Sequence, residues 1–276
     1  MKNDLPIGVF DSGIGGLTVV KEIMKRLPSE RIVYFGDTAR VPYGNKSRDT
    51  VITYCRQIMR FLLGNGEPEV KAVVVACNTA SALALDTIAK DSPVPVIGVV
   101  RPGAKAAVDA TKNGRIGVIA TESTIKSGIY GKVINELGDG YCVYGKACPL
   151  FVHLVEEGWA DTKIAGEVAG IYLDELKNEG IDSLVLGCTH YPLLKKTIGA
   201  VMGEKVTLVN PAFETAKSLE EVLKAEGLLR NGKRCTEHRF YVSDGEEKFR
   251  EFANSILESV HLETADVTRV VMGSEV

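Results

Sequence analysis

Short apolar runs alternate with longer amphipathic stretches along almost the whole chain. The run 72–76 (A-V-V-V-A) is continuous and rich in β-branched residues, the pattern of a strand buried on both faces in a parallel sheet. Asn78-Thr79 then offers helix N-cap chemistry, and 80–90 reads as the helix. Cys77 therefore falls where a buried strand opens into a helix. The stretch 181–194 (I-D-S-L-V-L-G-C-T-H-Y-P-L-L) echoes this arrangement around Cys188. Pro192 fits the first helical position there, where its missing N–H costs nothing.

The other runs fall into step with these two. Strands are expected at 6–10, 31–35 and 94–100, and helices at 17–27 and 47–63. The turn Asp11-Ser12-Gly13-Ile14-Gly15-Gly16 leaves the first strand, and the polar loop 36–44 (G-D-T-A-R-V-P-Y-G) leaves the second. Then the pattern restarts. The run 115–120 resembles 7–10, and Thr121 stands where Asp11-Ser12 stood. A helix to about 137, a strand at 141–146, helices at 148–157 and 162–177, and the Cys188 strand complete a second round, offset by about 110 residues. A strand at 205–209 and a helix at 211–226 follow, then a strand at 238–243 and a helix at 245–257.

This order predicts an α/β protein of two pseudo-symmetric domains, each a mostly parallel sheet flanked by helices, with a cleft between them. Residues 1–98 plus 209–276 form the first domain and 99–208 the second, the tail returning to complete the first sheet. A length of 276 residues gives both domains room for a core.

The net charge of −3, without a long basic run, gives no nucleic-acid footprint. No stretch is long enough to span a bilayer and the first residues hold no apolar signal core, so a cytoplasmic protein is expected. There the six cysteines (55, 77, 142, 148, 188 and 235) are reduced thiols, and no C-x-x-C pattern points to zinc or to a redox pair. The glycine turn after the first strand fails as a dinucleotide fingerprint, because the third glycine position is Thr18. A carboxylate at that strand end, Asp11, must nevertheless find a partner or do work.

Cys77 or Cys188 alone would read as a small core hydrophobe. Two of them in matched strand-to-helix turns point to function, whereas Cys55, Cys142, Cys148 and Cys235 lack that setting. His190, two residues past Cys188, can polarise a thiol or simply anchor the wall between domains, and spacing does not choose. Glu156 and Glu157 both precede Gly158, and pattern does not separate them. No cluster has metal-ligand spacing.

Two thiols on opposite walls of a cleft suit inversion at a carbon: one removes a proton from one face and the other delivers a proton to the opposite face. A thiol ordinarily titrates near about 8.5, and a helix N-terminus favours its thiolate. Ser12, Asn78, Thr79, Thr121 and Thr189 are the neutral donors available to hold carboxylates and developing charge.

D-S-G-I-G-G at 11–16, G-D-T-A-R-V-P-Y-G at 36–44, A-C-N-T-A at 76–80 and G-C-T-H-Y-P-L-L at 187–194 together resemble the glutamate racemase family, a cofactor-independent part of the aspartate/glutamate racemase superfamily. P-L-F-V-H-L-V-E-E-G at 149–158 is also similar to the family's segment. The resemblance implies interconversion of L- and D-glutamate, with D-glutamate destined for peptidoglycan. It implies Cys77 as base toward D-glutamate and Cys188 as base toward L-glutamate, assisted by Asp11 and His190, with Glu156 a supporting acid. Substrate contacts would fall on Asp11, Ser12, Pro42, Tyr43, Gly44, Asn78, Thr79, Thr121, Thr189 and His190. No cofactor and no metal is expected, and the partners are a small-molecule substrate and a second copy in a homodimer, with no membrane or nucleic acid. Val41 and His153 stand at positions expected to vary in the family and bear on pocket size. The competing readings are a racemase of aspartate or another small acid, and a two-domain protein that binds an amino acid without reacting. C-T-H-Y favours glutamate over aspartate, because aspartate-type relatives tend to carry glutamate where His190 stands.

Overall fold

The computed structural model describes residues 2–64, 69–260 and 267–272. Its strands, in chain order, are β1 (Ile7–Asp11), β2 (Ile32–Gly36), β3 (Ala72–Val75), β4 (Val96–Gly98), β5 (Arg115–Ala120), β6 (Cys142–Ala147), β7 (Ser183–Gly187), β8 (Thr207–Val209), β9 (Arg239–Val242) and β10 (Val267–Arg269). They form two sheets, β10-β9-β2-β1-β3-β4 and β6-β5-β7-β8, and every pairing is parallel. The order β2-β1-β3-β4 is matched strand for strand by β6-β5-β7-β8, so the weak repeat in the sequence is a repeat of topology. β9 and β10 extend the first sheet alone.

Helices cover both faces, which explains the uninterrupted apolar runs of β1, β3 and β7, whose residues are all buried. Leu17, Val20, Ile23 and Met24 line one face of the helix Leu17–Arg26 and pack with Leu219, Leu223 and Phe249 on one side of the first sheet. Burying each such side chain contributes about 1.5–3 kcal/mol. Val51, Cys55, Ile58 and Leu62 of the helix Arg48–Leu62 cover the other side with Phe10, Phe35, Val73 and Val75. In the second sheet, Leu184 and Leu186 face Phe151, Leu173 and Tyr191. Between them in sequence, Val185 points the opposite way, toward Ala104, Val133 and Ile134.

The chain leaves the first sheet once, from β4 into the helix Val100–Ala110, and returns once, from β8 into the helix Pro211–Ala225. These two helices pack on each other. The strand expected over 94–100 ends at Gly98, and Val100 already opens the helix Val100–Ala110, for which the pattern predicted no element. Pro102 sits in its first turn, where no N–H is needed, so a Pro-Gly pair that reads as a break is tolerated. The helix expected over 80–90 is two, Asn78–Leu83 and Leu85–Lys90, interrupted at Ala84. The one expected toward 137 is also two, Glu122–Ser127 and Ile129–Leu137, divided by Gly128 at φ +66°.

Candidate active site

The carboxyl ends of the central strands carry the candidate residues. Asp11 closes β1, Thr121 follows β5, Cys77 stands two residues past β3, and Cys188 follows β7 directly. Cys77, not Asn78, is the N-cap of the helix Asn78–Leu83: its Sγ accepts a hydrogen bond from the Ala80 N–H at 3.5 Å. The thiol thus occupies the place where unpaired amides and the helix dipole favour negative charge.

Cys77 also lies within reach of Ser12, its Sγ donating to Ser12 Oγ at 3.6 Å. Burial pushes the Cys77 thiol up to about 12, with the charge of Asp11 adding to the shift and the Ala80 amide opposing it. Cys77 therefore keeps its proton near neutral pH. Asp11 is fully buried, with Oδ2 accepting from the Gly16 and Gly13 N–H groups at 2.9 and 3.2 Å. Its Oδ1 meets no partner among the described residues. Burial raises the Asp11 carboxyl above its ordinary range, against the opposing charge of His190.

The second thiol has different company. Cys188 Sγ lies 3.9 Å from His190 Nδ1, and His190 Nε2 lies 3.2 Å from Glu156 Oε1. Burial alone would strip His190 of its proton. Its bonds to Cys188 and Glu156, with the charges of Cys188 and Asp11, outweigh burial and push it up to about 10. In turn the hydrogen bond from His190 holds Glu156 below the ordinary glutamate range, against its partial burial. Of the two glutamates that pattern left equal, Glu156 is turned inward and Glu157 is exposed. His153, one helical turn earlier, is exposed.

Hydroxyl groups meet where the halves of the chain face each other. Thr79 Oγ1 lies 2.9 Å from Thr121 Oγ1 and 3.3 Å from Thr124 Oγ1, and Thr121 lies 3.0 Å from Thr124. Tyr130 donates to Asn78 Oδ1 at 2.7 Å, and Ser123 donates to the Gly44 carbonyl at 2.8 Å. Thr18 donates to the Thr189 carbonyl at 3.2 Å. Two glycines permit this approach. A Cβ on Gly15 would stand 2.4 Å from Thr189 Oγ1 and 2.7 Å from His190 Nδ1, and one on Gly44 would stand 2.6 Å from Thr121 Cβ.

Pro42 and Tyr43 differ from the rest. Pro42 is half-buried at the head of the short turn Tyr43–Asn45. The Tyr43 hydroxyl is taken up by Asp37, just past the end of β2, so its main chain is the part that remains to meet a ligand. Asp37 is a buried hub. It accepts two bonds from Arg40 Nε, at 2.7 and 3.0 Å, and one from Ser243 Oγ at 2.9 Å. Asp37 was accessible to the argument made for Asp11, since both are acids at the carboxyl end of a strand. Nothing in the local sequence marks Thr124, Tyr130 or Ser243.

Residues 7–219 match the family described as Asp/Glu/Hydantoin racemase. The chain is 50% identical over 251 residues to a glutamate racemase from Geobacter metallireducens, covering 91% of this chain and 92% of that one. A glutamate racemase from Neisseria gonorrhoeae is 49% identical over 253 residues, 91% of this chain and 92% of that one. Among solved structures, the RacE1 glutamate racemase of Bacillus anthracis superposes with a TM-score of 0.92 at 40% identity, covering 97% and 98% of the two chains. The Francisella tularensis glutamate racemase, solved with D-glutamate, gives a TM-score of 0.90 at 40% identity over 99% and 100%. The chain belongs to the Asp/Glu/hydantoin racemase family, in its glutamate racemase branch.

Proposed function

We propose that the protein interconverts L- and D-glutamate by proton transfer at the α-carbon between two thiols, and so supplies D-glutamate for peptidoglycan. The observation that carries this reading is the matched placement of Cys77 and Cys188, past the equivalent strands β3 and β7 of two sheets with the same order. A substrate between those strand ends meets one sulfur on each face.

Cys188 is the base toward L-glutamate and Cys77 the base toward D-glutamate. Beside Cys188, His190 carries the positive charge, held by Glu156 behind it. When Cys188 takes the α-proton of L-glutamate, negative charge passes from its sulfur to the substrate, and fixed donors must already be in place to receive it. Cys77, which burial keeps protonated, then delivers its proton from the other face. The reverse direction exchanges the two roles.

Ser12, Asn78, Thr79, Thr121 and Thr189, with the main chain at Pro42, Tyr43 and Gly44, hold the carboxylates through neutral donors. Asp11 Oδ1, buried and without a partner among the described residues, suits the substrate ammonium group. The two lobes divide close to residues 98 and 209, with Val209 closing β8 in the second sheet rather than opening the first lobe's return, and the working assembly is a homodimer in the cytoplasm. Among the described residues no helix is long and apolar enough to cross a membrane.

Circular dichroism of the purified protein with L-glutamate, and separately with L-aspartate, tests the reading. Loss of optical activity with glutamate supports it. An unchanged signal with glutamate, or faster loss with aspartate, refutes it.

A further inference from the structure

Tyr130 lies outside every motif that marks the site, yet it touches the site's machinery. It belongs to the helix Ile129–Leu137 beside the second sheet, is 4% exposed, and donates across the lobe boundary to Asn78 Oδ1 at 2.7 Å. Its ring packs against Gly187 at the end of β7, where a Cβ would stand 3.3 Å from Tyr130 Cε2. Asn78 itself is buried, next to Cys77, at the start of its helix.

A primary amide has one acceptor end and one donor end, and burial does not by itself decide which faces the cleft. A phenol hydroxyl could also accept from the amide NH2. Its own hydrogen would then be buried without a partner, since Tyr130 bonds no other acceptor among the described residues. Donation to Oδ1 is the arrangement that satisfies the hydroxyl, and it turns the NH2 group away from Tyr130. Burial, and then negative charge at Cys188, hold the phenol un-ionised well past neutrality, so the donor persists throughout the working pH range.

We infer that Tyr130 is a positioning residue for the substrate site: its hydroxyl locks the Asn78 side-chain amide with the NH2 group presented to a substrate carboxylate. This rests on the role proposed above for Asn78. Without the hydroxyl, the amide is free to turn its oxygen toward the carboxylate and repel it.

A double-mutant cycle tests this, with Tyr130→Phe, Asn78→Ala and the pair assayed for racemisation of L-glutamate and for thermal unfolding without substrate. Tyr130→Phe should raise KM about tenfold, the worth of one charge-assisted hydrogen bond, with kcat changed less than about threefold. In the Asn78→Ala background the same change should add nothing to KM. If Asn78→Ala raises KM and Tyr130→Phe does not, or if the two effects simply add, the inference about Tyr130 fails while the role of Asn78 stands. If Asn78→Ala leaves KM unchanged, the role of Asn78 fails. A purely structural Tyr130 would lower the unfolding midpoint and the active fraction at constant KM, which also overturns the inference. Nitrogen–proton NMR of the Asn78 amide in the unaltered protein gives a measurement independent of how the variants fold. Its NH2 resonances should shift when glutamate is added, and no shift counts against the inference.

Discussion

Glu156 Oε1 lies 3.2 Å from His190 Nε2, on the opposite edge of the imidazole from the Nδ1 that faces Cys188. The carboxylate and the sulfur therefore hold one ring between them, and the charge on that ring depends on both. Among the described residues Cys77 has no such relay. Its sulfur accepts from an amide and donates to a hydroxyl, so the two sides of a nearly symmetric site hold their thiols by different means.

Glu156→Gln should move the alkaline limb of the pH–rate profile to lower pH. The carboxylate helps raise His190 to about 10, and a neutral amide removes that support, so His190 loses its proton sooner. The stability linkage has the same sign. Stability from the raised His190 pKa is fully present below the unfolded histidine value and lost as pH rises through about 10. That from the lowered Glu156 pKa is present above the ordinary glutamate value and lost as pH falls below it. The stability difference between wild type and Glu156→Gln should therefore be full in the mildly acidic range between the ordinary glutamate and histidine values, and shrink as pH falls below it or rises toward about 10. Profiles of kcat/KM and of unfolding against pH check this, and an unmoved alkaline limb would refute the relay.

Cys77→Ala and Cys188→Ala should each abolish racemisation while the protein stays folded, since loss of one sulfur leaves a small cavity costing on the order of 1 kcal/mol. Cys142→Ala, at an exposed position, should match wild type. Cys55→Ala should remain active but melt a few degrees lower, because Cys55 is fully buried against the first sheet. Near-native turnover by Cys188→Ala would defeat the two-thiol mechanism.

Gly44→Ala should cut kcat/KM by about a hundredfold. The new methyl would stand 2.6 Å from Thr121 Cβ, so the lobes cannot approach as they do here. The clash lies between lobes rather than within one, so the unfolding midpoint should fall much less than activity. Wild-type kinetics in this variant would mean that the Gly44–Thr121 approach is not needed for catalysis.

In deuterated water, the first D-glutamate formed from unlabelled L-glutamate should carry deuterium at the α-carbon, while unconverted L-glutamate carries little. Cys77 equilibrates with solvent before the substrate arrives, whereas a proton taken by Cys188 returns to its own face before it can exchange. Proton NMR of both isomers at low conversion decides the matter. Early product that is largely unlabelled would point to a single base.

The strand ends were legible because each buried run stops abruptly at a polar residue, and in a parallel sheet that end is where a ligand binds. Asp11, Cys77, Thr121 and Cys188 could be placed that way. Which residue caps the helix after β3 could not, since Asn78 and Thr79 are the better capping types and the backbone still gives the cap to Cys77. Glu156 was separated from Glu157 only by the phase of a seven-residue helix, too short for its period to be read reliably. Tyr43 was expected as a substrate contact from the resemblance alone, which named no atom, and no local pattern showed that Asp37 takes its hydroxyl. The threonine cluster and the Tyr130–Asn78 bond join residues 42 and 52 positions apart, and they exist only because the two sheets dock in one particular pose. No local pattern encodes that pose.

The helices Val100–Ala110 and Pro211–Ala225, one on each passage of the chain between the sheets, lie side by side. Two covalent links set close together act as the pin of a hinge. Sliding or twisting the lobes would strain at least one link, and rotation about the line through both strains neither. Opening the site is thereby reduced to one angular coordinate, with displacement growing in proportion to distance from the pin. The Tyr130 hydroxyl lies next to that pin: a Cβ on Gly103, in the first crossing helix, would stand 3.4 Å from it and 2.9 Å from Pro211 in the second. The Tyr130–Asn78 bond therefore sits near that axis, where a few degrees of rotation would move atoms least.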